Sequence, residues 1–315
     1  MFYRIKLHFM KLLKISYLLF FCLALEAVIV DTGHANVSLV KFESLEGDSS
    51  KTLLGIKMDM QENWHTYWKN PGDSGGPIKV KWSHDNNISI SKIYWPTPTL
   101  IPYEPLMTYG YKNFVIFPFE ITNSNNKNSY IEANIDFLIC DDICVPEKAL
   151  IKTNLDEIKS DPSLNDWFLK VPDQILPVKA SVDSEYINIR FSSPFNVSSA
   201  IFFVDEQDIV EHAENQKLSK EENNYLLSIK KVDYLESFEN LSGVLSINNN
   251  ESFIIDAEIE NVTQNSFNIS FFQALIFAFV GGLILNLMPC VFPIISLKVL
   301  SFVSMSNQSP SKIRA

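Results

Sequence analysis

The sequence is sparing with the residues that build metal centres and nucleic-acid surfaces. Of 315 residues, four are cysteine and five are histidine, and 26 basic residues face 37 acidic ones. A net charge of −11 excludes the basic footprint that a nucleic-acid partner requires. Charge is absent altogether between Glu260 and Lys298. Within that gap Phe271–Leu297 is long enough to cross a bilayer, for which about 20 apolar residues suffice.

The N-terminus carries Arg4, Lys6, Lys11 and Lys14, then the apolar run Ile15–Leu25, and ends near the small-residue stretch Gly33-His34-Ala35. This is a secretory signal pattern, assigned to residues 1–35, and Cys22 is expected to leave with it. Removing those residues takes four basic and two acidic side chains from the totals of 26 and 37, leaving 22 against 35, a net charge of −13. In an oxidising compartment a cysteine pair cycles only if something supplies reductant.

Three cysteines remain. Cys140 and Cys144 flank Asp141-Asp142-Ile143, and Cys290 lies between Pro289 and Pro293 in the uncharged run. Tyr130–Cys140 alternates apolar and polar residues as a strand does. Were that strand to run on through Cys144, the two Cα atoms would stand roughly 13 Å apart. A disulfide needs about 4.4–6.8 Å, so Asp141-Asp142-Ile143 must turn, and Pro146 hinders immediate resumption of the strand. So short a ring gains little chain entropy as a staple. The acidic pair beside the thiols disfavours the thiolate. The spacing leaves three readings open: an exchange couple, a structural disulfide in an exported protein, or a metal site. His65, His84 and His212 all lie far from the pair in sequence, which weakens the last. Neither metal nor cofactor is expected.

Residues 36–172 show short strand patterns at Val37–Phe42, Thr52–Met60, Ile78–Trp82, Ile88–Trp95, Phe114–Ile121, Tyr130–Ile139 and Ala149–Asn154. A helix is expected over Asp161–Lys170, with Pro162 at its start. Residues 173–262 repeat the strand pattern at Val178–Val182, Tyr186–Phe191, Ala200–Val204, Tyr225–Ile229, Gly243–Ile247 and Ser252–Glu258, interrupted by the polar run Glu211–Asn224. The fold class is therefore mainly β, two antiparallel sandwiches followed by one transmembrane helix over residues 268–303 and a polar tail over 304–315. Acidic flanks before the helix and Lys298, Lys312 and Arg314 after it put the sandwiches outside and the C-terminus in the cytoplasm. Pro289 and Pro293 break or kink that helix, which marks it as one member of a bundle.

Three stretches resemble one family. Trp64-His65-Thr66-Tyr67-Trp68-Lys69-Asn70-Pro71-Gly72-Asp73-Ser74-Gly75, then Cys140-Asp141-Asp142-Ile143-Cys144-Val145-Pro146-Glu147, then Asn286-Leu287-Met288-Pro289-Cys290-Val291-Phe292-Pro293 are similar, in order, to motifs of the DsbD-type thiol:disulfide interchange proteins. The likeness is greatest to the branch that includes the suppressor of copper sensitivity protein B. The resemblance implies an immunoglobulin-like exported domain in the bacterial periplasm, anchored at the inner membrane. This domain takes electrons from a membrane domain and passes them to periplasmic thiol:disulfide proteins of thioredoxin type. It also implies that Cys144 attacks the partner's disulfide, that Cys140 resolves the intermediate, and that Cys290 belongs to the membrane relay. A cap over the pair would fall on Met107, Thr108, Tyr109 and Gly110, with Thr108 where relatives often carry phenylalanine.

Trp64, His65, Tyr67 and Trp68 either line the approach to the pair or fill the core. The family's further membrane helices, with a cysteine to pair with Cys290, do not follow in this sequence, nor does a terminal thioredoxin-like domain. The chain is thus expected to be truncated, with its membrane electron donor missing. Two alternatives stand beside the exchange reading. One is a membrane-tethered binding module with a structural disulfide. The other is a copper-tolerance role, for which Met58, Met60 and Met107 would be soft ligands unless they are core filler.

Overall fold

The computed structural model describes residues 28–42, 51–123, 128–222, 224–235, 238–260 and 271–286. The described strands fall in one compact unit and the helix Phe271–Asn286 in another. Strands are numbered along the chain.

The first sheet has the order β1 (Ile29–Asp31), β2 (Ala35–Lys41), β3 (Lys51–Met60), β9 (Phe114–Asn123) and β6 (Ile88–Ile90), all antiparallel. The second runs β11 (Cys144–Asn154), β10 (Tyr130–Cys140), β4 (His65–Gly72), β8 (Leu106–Lys112) and β7 (Thr99–Tyr103), with β5 (Lys79–His84) also paired to β10. Alternation sets which side chains meet between these sheets. Val37, Ile56 and Phe117 from the first and Ile131, Ile135 and Ile139 from the second are all fully buried in one core. Met58 and Met60 belong to that core and Met107 packs against it.

A third, seven-stranded sheet has the order β14 (Ala200–Val204), β17 (Asn240–Ile247), β18 (Glu251–Glu260), β12 (Val178–Val182), β13 (Tyr186–Phe191), β16 (Asn224–Lys230) and β15 (Lys217–Glu221). Phe202, Leu245 and Ile255 from one half meet Ile187, Ile189 and Leu227 from the other in a single core. The architecture is mainly β and sandwich-like throughout. Phe203 and Val244 pack into the core of the first sandwich instead, so apolar contact continues from one β unit to the next.

The strands β4, β7 and β8 are absent from the sequence-based reading. Gly and Pro residues interrupt each of their neighbourhoods, and β4 ends in Asn70-Pro71-Gly72, a turn signal by composition. β15 lies inside the polar run Glu211–Asn224, where a solvated sheet edge shows no apolar alternation. The expected strand Ile88–Trp95 is strand only over Ile88–Ile90. The helix expected over Asp161–Lys170 is a 3-10 turn (Pro162–Leu164) leading into a helix of one turn (Asn165–Phe168). Residues 28–34, placed at the end of the signal segment, carry β1, which pairs with β2 at Ile29↔Ser38, Val30↔Val37 and Asp31↔Asn36.

The helix Phe271–Asn286 has 16 residues. Among the described residues no helix is long and apolar enough to cross a membrane. The rest of the expected crossing, Cys290, the polar tail and residues 1–27 lie outside the described residues.

Candidate functional site

β10 and β11 form a hairpin in continuous register from Tyr130↔Asn154 to Cys140↔Cys144. The expected turn is Asp141-Asp142-Ile143, and it makes the two cysteines directly opposed partners. Contrary to expectation, the strand resumes at once at Cys144 and runs through Pro146, which β11 tolerates because it is an edge strand. Their Cα atoms are 4.2 Å apart and their sulfurs are joined as a disulfide. The two ends differ in exposure. Cys144 is exposed, with Ile143 beside it 68% exposed, whereas Cys140 is 1% exposed.

That burial has a specific source. In β10 the inward positions are Ile131, Ala133, Ile135, Phe137 and Ile139, so Cys140 falls on the outward face. Its register partner on β4 is His65. His65 and Tyr67 share that outward face, with ring centroids 5.4 Å apart. The Tyr67 hydroxyl donates to Cys140 Sγ at 2.7 Å and lies 3.1 Å from Cys144 Sγ. Burial pushes the Tyr67 phenol up to about 12, so it stays protonated, a donor, at any physiological pH. Burial and nearby Lys112 hold His65 below its ordinary value, with Asp141 opposing. The neutral imidazole adds no positive charge beside the sulfurs.

The Tyr67 ring is held from behind by a loop. Gly75 has φ +96°, and a Cβ there would stand 2.1 Å from Tyr67 Cε1, so only glycine fits. Asp73 ties this loop to β8, its N–H donating to Met107 O at 3.0 Å and its Oδ2 accepting from Met107 N–H at 2.7 Å. Ser74 and Thr108 hydroxyls are 3.3 Å apart.

The structure thus separates the residues named from sequence. Cys140 and Cys144 are together, with His65 on the adjoining strand position. Met107, Thr108, Tyr109 and Gly110 sit in β8, where Gly110 opposes Tyr67 across the strands. Met107 and Thr108 buttress the loop behind Tyr67. Tyr109 turns the other way, edge-on to Phe203 at 5.1 Å and His212 at 5.0 Å in the second β unit. Trp64 stacks on His34 at 3.9 Å, and Trp68 is fully buried in the core. Alternation along β4 therefore sends Trp68 into the core and turns His65 and Tyr67 to the face that carries the cysteines. Tyr67, the side chain hydrogen-bonded to the sulfurs, is in the sequence only one aromatic among neighbours. Its signal is the period of two from His65, the register partner of Cys140.

Residues 36–155 match the family model described as thiol:disulfide interchange protein DsbD, N-terminal. These residues are of the DsbD N-terminal type. The match begins within β2 and ends just after β11, so this DsbD-type region holds both sheets of the first sandwich and the whole Cys140–Cys144 site. Among solved structures, the N-terminal periplasmic domain of ScsB from Proteus mirabilis is similar at 17% identity and TM-score 0.58. The alignment covers 74% of this chain and 97% of that one, so the likeness in fold extends past the DsbD-type region into the second β unit. A search of curated protein sequences finds no significant match. Among the described residues no group of three or more His, Cys, Asp or Glu side chains is placed to hold a metal ion.

Proposed function

We propose that the chain performs thiol–disulfide interchange as the exported part of a membrane-anchored disulfide reductase, with Cys140 and Cys144 as the exchange couple. The observation that carries this reading is the asymmetry of the pair: an exposed Cys144 and a buried Cys140 whose sulfur accepts a hydrogen bond from Tyr67 at 2.7 Å. Reactivity in exchange depends on access of one sulfur and stabilisation of the other as leaving group. In the reduced form, Cys144 thiolate attacks one sulfur of a partner disulfide. That S–S bond breaks, a Cys144–partner bond forms, and the partner's second sulfur leaves as a thiolate. Cys140 then attacks Cys144 Sγ, forming the Cys140–Cys144 bond and releasing the partner's first sulfur. Two electrons reach the partner, and two protons from the cysteine thiols end on its thiols.

Partners of thioredoxin type suit this chemistry, and the DsbD family match supports it. Anchoring through the apolar segment 268–303, and electron supply through Cys290, complete the proposal. The disulfide closes the tip of a hairpin already paired over its full length, which speaks against a staple role. Trapping tests the reading. With Cys140→Ser, a mixed disulfide between Cys144 and a thioredoxin-type disulfide protein is expected to accumulate. With Cys144→Ser it is not. Equal trapping by both variants, or none by either, defeats the assignment.

A further inference from the structure

We propose that Asn70 is a positioning residue through which the second β unit controls the redox pair, an inference that rests on the exchange function above. Register along β4 locates it. Tyr67 opposes Gly110 and Gly72 opposes Thr108, so five residues advance on β4 for two on β8, and the intervening residues bulge from the sheet. The bulge carries Asn70 to the second unit. Its side chain is fully buried, and its Nδ2 donates to Val204 O and Glu206 O, both at 2.9 Å. Between those acceptors, Asp205 pairs with Lys69 at 2.7 Å. The third capacity of the amide faces back, since Asn70 Oδ1 accepts the Gly72 N–H at 3.0 Å.

Gly72 has φ +81°, and a Cβ there would lie 2.4 Å from Met107 O, so the chain passes β8 in van der Waals contact. Three residues later Gly75 lies against the Tyr67 ring, and Tyr67 reaches the sulfurs. A continuous set of contacts therefore runs from the β14 end of the second unit, through one amide, to the hydroxyl that addresses Cys140. Both polar atoms of the Asn70 amide are used in it. The second β unit, residues 173–262, contains no cysteine, and this gives it a part in the chemistry without one.

Reduction of the oxidised full chain by glutathione tests the idea. Glutathione thiolate attacks exposed Cys144 Sγ, the Cys140–Cys144 bond breaks, and Cys140 leaves as a thiolate that the Tyr67 O–H stabilises. Tyr67→Phe removes that donor and is expected to slow the step about tenfold. Asn70→Ala, leaving Tyr67 intact but unclamped, is expected to slow it about threefold, and the double variant about tenfold rather than the roughly thirtyfold of independent effects. Multiplicative rates in the double variant, or an unchanged rate in Asn70→Ala, overturn the proposal. If Asn70→Ala does not fold, Lys69→Met, which loosens the same junction from its rim, takes its place in the cycle with the same criterion. A wild-type pair inert to glutathione and to thioredoxin-type disulfides overturns the exchange function itself; a reactive wild type with independent variants overturns only the role of Asn70.

Discussion

At Cys140 the pattern of the strand and the burial of the side chain disagree, and the disagreement is where the chemistry lies. Period two sends Cys140 outward, where a thiol would ordinarily meet water, but it is 1% exposed beneath Tyr67. Cys144, its register partner, stays open. Beside it Ile143 exposes 68% of its surface, apolar area whose covering by a docked partner would be favourable. We expect Ile143→Asp to lower the apparent affinity for a thioredoxin-type protein disulfide about tenfold, the scale set by removing one apolar side chain from an interface and desolvating a charge in its place. The same variant should leave the rate with glutathione within about threefold, because so small a thiol needs no apolar docking surface. Comparing the two substrates checks the claim, and an equal loss with both would place Ile143 in the hairpin turn's structure instead.

Among the elements, β1 and β11 share a buried carboxylate. Glu147, on β11 three residues beyond Cys144, is 8% exposed. It receives His34 Nδ1 at 2.5 Å and the Thr32 hydroxyl, both from the segment joining β1 to β2. Gln61 fastens that segment further, its Nε2 donating to Gly33 O at 2.7 Å and its N–H to His34 O at 2.9 Å. A chain beginning at Ala35 strips Glu147 of these partners. It is expected to be less stable than one beginning at Val28 by about 1–3 kcal/mol, the cost of leaving a buried acceptor unsatisfied. Glu147→Ala should recover much of the difference in the shorter chain. Urea midpoints of the three chains decide it, and equal midpoints for the two lengths would show that the segment contributes nothing. Sequence pattern locates β10, the later half of β11 and most of the core strands because their apolar residues alternate, but it starts β11 at Ala149 where the strand begins at Cys144 and runs through Pro146. It misses β1 beside an apolar leader, β4 behind its Asn-Pro-Gly ending, and β7 and β8 among prolines and glycines. Of these, β4 covers the cysteines, and β4 and β8 reach the second β unit. Their side chains are chosen for contacts distant in sequence, so local periodicity cannot report them. The family motif marks Trp64–Gly75 as a unit without showing that it divides between sulfur, core and junction.

For the β units taken together, the junction carries a titratable group whose protonation opposes docking. His212 stands edge-on to Tyr109 at 5.0 Å, and its Nδ1 is buried without a hydrogen-bond partner. Burial holds the imidazole below its ordinary value, although Asp73 and Asp208 pull the other way. His65 beside the disulfide is lowered in the same sense by burial and Lys112. The sign follows from linkage. The unfolded chain takes up these protons near pH 6.5, and the folded chain only at lower pH, so the unfolded state binds more protons across that window. Stability is therefore full above about pH 6.5 and is lost as pH falls from there through the folded values. Urea midpoints should be level between pH 8 and 7 and decline toward pH 5, more steeply than in His212→Gln, which keeps a polar side chain but cannot ionise. If the decline arises at the junction, acid should also slow glutathione reduction beyond the effect of thiolate supply. That excess should vanish in His212→Gln, because the junction that His212 loosens is the one Asn70 clamps. Parallel pH profiles for wild type and His212→Gln, in both midpoint and rate, would show that the two β units stay docked whatever the charge on this imidazole.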